Sequence, residues 1–323
     1  MAYFILVPDH LNQAGLDVLN AVDEFDVYAP GALTRAETLA LVPRADALVI
    51  RSGTLVDAEL LAHAEKLKLI VRAGVGVDNV DLAACVARRI LVMNTPDANT
   101  LSTAEHALAL IFALARHIPQ AHQSIQAGRW ERKQFMGMQL YGKTLGIVGF
   151  GRVGRAVAER AQCLGMTQIA YDPFVPERVA RHLGLSLVPR LEQVLEEADV
   201  VTLHAVVTND TREMICAETI AHMKDGALLV NAARGKLVNS ADLAAALRSG
   251  KLAGAALDVY DVEPPPPDNP LLGLPNVIYT PHLGASTGEA QELAGVQAAE
   301  TVVNALLQGR YDNVRNREVL DLV

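Results

Sequence analysis

The sequence predicts an α/β protein built from two doubly wound parallel sheets. Three observations carry this: short β-rich runs alternate with helical periods along nearly the whole chain, 51% of the residues are hydrophobic but only 4% aromatic, and the length is 323 residues. Alternation of strand and helix is the pattern of parallel strands joined by right-handed crossovers. Strands buried on both faces need Ala, Leu and Val more than bulky rings. One core rarely serves more than about 250–300 residues, so two are expected.

The first series of strands falls at 3–7, 25–28, 47–51, 67–72 and 90–93. A second series, at 144–149, 168–172, 200–204, 227–232, 255–259 and 277–280, makes a sheet of six. Between them Ser102-Thr-Ala-Glu105 reads as a capping box that opens a long apolar helix to 117, a crossover into the second domain. Ser286-Thr-Gly-Glu289 opens another capped helix running to about 308, with no strand after it. If that helix packs back on the first sheet, the first domain is discontinuous. The expected division is then 1–99 with 286–323, and 100–285.

A formal charge of −9 offers no general attraction to nucleic acid or to an anionic membrane, since both need a basic face. An anionic ligand must therefore be held by particular arginines. Cys85, Cys163 and Cys216 show no paired or metal-like spacing, so no disulfide framework and no metal site is expected, and a reducing, cytoplasmic setting fits. The N-terminus has no basic stretch before its first strand, so no secretory signal is read there. The most apolar run, 107–115, is too short to span a bilayer and is closed by Arg116.

Gly149-Phe-Gly-Arg-Val-Gly154 lies between an apolar strand and a helix starting at Arg152. In that context Gly149 permits a tight turn, Gly151 lets backbone approach a pyrophosphate, and Gly154 lets helix and strand pack closely. Amides at the helix start then face the phosphates. Asp172 follows Gly154 by 18 residues at the end of the next strand, close to the spacing at which an acid binds ribose hydroxyls. A carboxylate there repels a 2′-phosphate, which favours NAD over NADP. The bland alternative, a glycine-rich turn beside an unrelated acid, leaves the strand and helix context unused.

Arg234, Glu263 and His282 lie just past the ends of three successive later strands, where open α/β sheets bind ligands. Oxidising a 2-hydroxy acid needs a base for the hydroxyl proton, a cation for the carboxylate and a hydride acceptor, and this trio with NAD supplies all three. His282 is expected as acid/base, Glu263 as its partner, and Arg234 as the grip on the carboxylate. Each also has a simpler reading: a hydrogen-bonded surface histidine, a loop acid, a capping or phosphate-binding arginine. Their joint placement favours the chemical one. An NAD-sensing binding protein is the alternative of another class, and loss of NADH absorbance on adding a 2-oxo acid separates the two.

Over nearly its whole length the chain resembles the D-isomer-specific 2-hydroxyacid dehydrogenase family. The resemblance is carried by the glycine loop and the trio together with Arg51-Ser-Gly-Thr54, Arg72-Ala-Gly-Val-Gly-Val-Asp-Asn79, Gly128-Arg-Trp-Glu-Arg-Lys133 and Leu140-Tyr-Gly-Lys-Thr-Leu-Gly146. It implies two Rossmann-like domains, the substrate domain flavodoxin-like and discontinuous, and the same catalytic residues Arg234, Glu263 and His282. It also implies a small anionic 2-hydroxy or 2-oxo acid as substrate, held by Arg51, Ser52 and Arg72 and by the backbone of Gly74, Val75 and Gly76. A phosphate would suit the two arginines, although either can instead pair with an acid such as Asp78.

For NAD the resemblance places Gly149, Gly151, Arg152, Val153 and Gly154 at the pyrophosphate and Asp172 on the ribose. His204 and Thr211 fall beside the adenosine half, and Ala232, Arg234, Asp258, His282 and Gly284 near the nicotinamide. Thr103 is either a phosphate contact or a simple helix-start residue. A homodimer or homotetramer is implied, with the crossover helix and the segment 128–140 exchanging contacts and Arg132 approaching a neighbouring subunit's cleft. Two departures stand out: Ala205-Val206-Val207 follows His204 where many relatives carry proline, and the chain stops at Val323. No C-terminal regulatory domain, and no feedback through one, is expected.

Overall fold

The computed structural model describes residues 2–321. The chain divides into two units, one made of the residues up to Asn99 together with those from Ala285 onward, the other of Thr100–Gly284.

In the first unit β1 (Tyr3–Leu6), β2 (Phe25–Tyr28), β3 (Ala47–Ile50), β4 (Leu69–Arg72) and β5 (Leu91–Asn94) pair in parallel in the order β2-β1-β3-β4-β5. This is the flavodoxin-like order, which reverses direction between β1 and β3. Successive side chains of a strand point to opposite faces, and here both faces are covered. Ile5 and Val49 join one buried cluster, Leu6, Leu48 and Ile50 the other. The helix Gly288–Gln308 supplies Ala294, Ala298, Ala299 and Val302 to the first of these clusters, so this unit is discontinuous in sequence. Its cap is Thr287, whose hydroxyl accepts from Ala290 N at 3.2 Å.

The second sheet has seven strands instead of the six expected. They are β6 (Thr144–Val148), β7 (Thr167–Tyr171), β8 (Ser186–Val188), β9 (Val200–Leu203), β10 (Ala227–Asn231), β11 (Leu252–Leu257) and β12 (Val277–Tyr279), all parallel, in the order β12-β11-β10-β9-β6-β7-β8. Counted from its own first strand, this is the dinucleotide-binding order with one strand added at the far edge. The overlooked strand is β8, three residues long and incompletely buried at the sheet edge, so it presents no apolar run to read. The order reverses between β6 and β9, which places a ligand crevice at the ends of those two strands.

The helix Thr100–Ala115 covers one face of this sheet. It begins two residues before the expected start, because the turn at 96–99 runs straight into it. Ser102 is therefore a first-turn residue and not the cap. The helix buries Thr103, Ala104, Ala107, Leu108, Leu110, Ile111 and Leu114. Leu228 and Val230 of β10 pack in the cluster with Ile111, while Leu229 points into the opposite one with Val201 and Leu203.

The three cysteines are free, and among the described residues no helix is long and apolar enough to cross a membrane. Leu229 has no exposed surface. Leu229→Ala is expected to destabilise this unit by about 2–5 kcal/mol, the cost of a lost side chain plus the cavity left behind, measured by denaturant unfolding.

Candidate active site

The turn after β10 places Arg234. Asn231, 1% exposed, accepts from Ala233 N at 3.1 Å and donates its side-chain amide to the Arg234 carbonyl at 2.9 Å, closing the chain on itself. Gly235 comes next, and a Cβ there would run into the Tyr260 carbonyl group and Asp261 N. Only a glycine lets the Arg234 turn lie directly on the segment that leads to Glu263.

Glu263 is held at both oxygens. Oε1 accepts from Tyr260 N at 3.0 Å, and Oε2 lies 2.7 Å from His282 Nδ1. Burial works to raise this carboxyl's pKa, but the hydrogen bonds from His282 and the Tyr260 amide, with the charges of His282 and Arg234, outweigh it and hold the pKa below its usual value. With Nδ1 engaged by a carboxylate, Nε2 is the nitrogen left to exchange a proton. The two side chains remain 48% and 36% exposed. Ion pairs at that exposure contribute only about 0–1 kcal/mol to stability.

His282 sits in the left-handed backbone region at φ 56°, a conformation that costs an L-residue about 1–2 kcal/mol. Asp258, with no exposed surface, holds it there. The Asp258 carbonyl accepts from His282 N at 2.8 Å, Oδ1 from Leu283 N at 2.7 Å, and Oδ2 from Gly284 N at 2.9 Å. Oδ1 also accepts from Thr280 Oγ1 at 2.6 Å and lies 3.1 Å from His106 Nε2. Burial opposes this charge, yet the donors from His106, Thr280, Leu283 and Gly284 prevail and keep its pKa low. Hydrogen bonds to a charged group are worth about 1.5–3 kcal/mol each, and several together outweigh a desolvation cost of several kcal/mol.

The glycine loop occupies the point where the second sheet reverses. Gly149 adopts φ 91°, and a Cβ there would stand 2.6 Å from the His204 carbonyl carbon, so the loop lies against the end of β9. At Gly154 a Cβ would collide with the Gly149 carbonyl oxygen, which fixes the start of the helix Arg152–Cys163. At Gly151, by contrast, nothing lies within 4 Å of an added Cβ. A loop closed at two glycines and open at the third fits a pyrophosphate approaching the backbone. Asp172 accepts from Phe150 N at 2.8 Å and from Phe174 N at 2.9 Å, so the strand-end acid is tied to the loop itself.

Around this frame His204 bonds Thr202 Oγ1 through Nε2 at 3.0 Å, and burial pushes its imidazole pKa down to about 4. Thr211 accepts from Thr208 N at 2.7 Å and donates to the Val206 carbonyl at 2.6 Å, fixing the exposed loop after β9. Thr103 donates to the Gly284 carbonyl at 3.1 Å. Ala232 is buried, while Arg152 and Val153 open the loop's helix.

In the first unit Arg51 follows β3, where that sheet reverses, and Arg72 ends β4. The Arg51 amide donates to Asp9 Oδ2 at 2.5 Å and its guanidinium to the His10 carbonyl at 3.3 Å. Arg72 folds over Gly74, since a Cβ on Gly74 would meet its Nη1. The Gly74 amide donates to Thr95 Oγ1 at 2.7 Å, and the Val75 carbonyl accepts from Asn94 Nδ2 at 2.5 Å. Ser52 is exposed beside Arg51, and Gly76 is partly exposed.

Asp9 and His106 were invisible to the sequence reading. Asp9 braces the Arg51 loop, also accepting from Thr54 Oγ1 at 2.9 Å; its position just past β1 is a signal only once the strand order is known. His106 stands three residues after Thr103, the spacing that puts two side chains on one helix face.

These two sheets, with an acid-bound histidine and a glycine loop at the strand ends, define a class: the chain belongs to the D-isomer specific 2-hydroxyacid dehydrogenase family, and residues 108–284 match its NAD binding domain. Among curated relatives, the D-3-phosphoglycerate dehydrogenase of Methanocaldococcus jannaschii is 48% identical over 97% of this chain and 59% of its own length. The chain spans little more than half the length of the curated relatives it matches. A crystal structure of a protein from Thermus thermophilus is 38% identical with a TM-score of 0.86, covering 97% of this chain and 99% of that one. A glyoxylate reductase from Paecilomyes thermophila is 29% identical with a TM-score of 0.87, covering 98% and 99%.

His204 stays neutral in the fold down to about 4, whereas an unfolded imidazole protonates near 6.5, so stability falls as pH drops between those values. Asp258 and Glu263 stabilise fully above their ordinary values of 3.8 and 4.5, and that contribution is lost as pH falls through their lowered ones. Urea melts from pH 7 to 3 are expected to show both losses. His204→Asn should flatten the upper one, and Asp258→Asn the lower.

Proposed function

We propose that the chain is an NAD-dependent D-2-hydroxyacid dehydrogenase acting on 3-phosphoglycerate and 3-phosphohydroxypyruvate. The observation that carries the chemistry is the 2.7 Å contact of His282 Nδ1 with Glu263, beside Arg234. The substrate assignment is supported by the identity to named D-3-phosphoglycerate dehydrogenases and by two arginines at first-unit strand ends.

NAD held by the 149–154 glycine loop would supply the acceptor for the hydride on the hydroxyl-bearing carbon. His282 Nε2 takes the hydroxyl proton, and the Glu263 carboxylate stabilises the imidazolium formed. In the reverse direction the same imidazolium returns the proton to the carbonyl oxygen. Arg234 binds the substrate carboxylate and polarises the carbonyl. In the first unit the amides of Val75 and Gly76 are open to the acid, a role the Gly74 amide leaves to them because Thr95 occupies it. Arg51 and Arg72 bind the phosphate. In this reading Thr100–Gly284 binds the dinucleotide and carries Arg234, Glu263 and His282, and the other unit carries the phosphate-binding arginines. The enzyme works in the cytoplasm as a homodimer or homotetramer, for which exposed Ile118, Ile125, Trp130, Met136 and Tyr141 supply an apolar surface. Reduction of hydroxypyruvate or glyoxylate is the second reading, favoured by the similarity to a glyoxylate reductase.

Rates of NADH oxidation with phosphohydroxypyruvate, hydroxypyruvate and glyoxylate decide between them. His282→Asn is expected to lower kcat by about 10²–10⁴ with every substrate, and retention of full turnover would remove the mechanism. Arg72→Ala is expected to raise KM for the phosphorylated acid by roughly 10–100-fold and to spare the others. Equal effects on all three would exclude the phosphate role.

A further inference from the structure

His106 belongs to none of the groups assigned above, yet it touches the most buried charge of the second unit. Its side chain is 19% exposed, and Nε2 lies 3.1 Å from Asp258 Oδ1 and 3.3 Å from Thr280 Oγ1. Building on the dehydrogenase reading, we infer that His106 is a positioning residue for proton transfer: it fixes the Asp258 carboxylate in the orientation that clamps residues 282–284, and so sets where the His282 imidazole stands.

The geometry forms one chain of contacts. Asp258 takes three successive amides, His282 through its carbonyl and Leu283 and Gly284 through its two carboxylate oxygens. The last two bonds hold only while the carboxylate keeps one rotation about its own axis. Thr280 and His106 set that rotation by meeting Oδ1, one from the end of β12 and one from the helix Thr100–Ala115. One turn earlier on that helix, Thr103 donates to the Gly284 carbonyl. The helix thus grips the 280–284 segment at both ends.

Magnitudes make the grip consequential. Leaving a buried carboxylate short of one donor costs as much as the left-handed conformation at His282, or more. Without His106 the carboxylate gains by turning toward other donors and the backbone gains by relaxing, and both changes carry the imidazole away from its place against Glu263. A misplacement of about 1 Å is enough to lower turnover roughly 10²-fold. A residue acting through Asp258 therefore controls kcat.

Two variants and two readouts test this. His106→Leu keeps bulk but removes the ring nitrogen, whereas His106→Gln keeps an N–H donor. Amide hydrogen exchange, read by mass spectrometry on the cofactor-free protein, is expected to accelerate at 282–284 by about tenfold or more in the Leu variant, with β9 and β10 unchanged. In the same variant kcat should fall roughly 10- to 100-fold while KM stays within about threefold. The Gln variant is expected to restore both to within about threefold of the parent. Unchanged exchange at 282–284 in the Leu variant overturns the inference, as does acceleration spread evenly over the whole unit or a Gln variant no better than Leu. If the exchange pattern is as expected but the parent protein oxidises no NADH with any 2-oxo acid, the clamp stands and the dehydrogenase reading falls.

Discussion

The Asp258 carboxylate, buried without exposed surface, organises the end of the second unit that carries His282. A charge in that position survives only if donors surround it, and the donors it recruits are the amides of the segment that carries His282. The electrostatic requirement of one side chain is thereby met by the backbone of another. Two acids divide the work: Asp258 fixes where the histidine's main chain runs, and Glu263 fixes how its ring is turned.

The glycine loop works by exclusion of side chains. At Gly149 and Gly154 a methyl group would meet backbone, so those positions lock the loop against β9 and against its own helix. At Gly151 the space is open, and the protein leaves it so. Rigid flanks around an unfilled centre keep amides aimed before any ligand arrives, which lowers the ordering cost of binding.

Most of the architecture was legible because both sheets are buried on two faces, and such strands read as plain apolar runs. The element that escaped, Ser186–Val188, is an edge strand with too little burial to leave that mark. The start of the helix Thr100–Ala115 was misplaced for a related reason: a capping box is a local pattern, and here the preceding turn had already set the helical direction. In the site, Arg234, Glu263 and His282 stood out because each follows a strand. Asn231, Gly235, Asp9 and His106 did not, since their roles depend on what lies across from them in space: a carbonyl, a neighbouring turn, a loop amide, a buried carboxylate.

Asp172 carries a consequence for anyone wishing to alter the dinucleotide this chain accepts. Its two oxygens anchor the amides of Phe150 in the glycine loop and of Phe174 just past β7. Exchanging it for a neutral or basic residue to welcome an extra phosphate would at the same time cut the tether of the glycine loop. One carboxylate tethers both segments, and a redesign must bring a fresh acceptor for both amides along with any new cation.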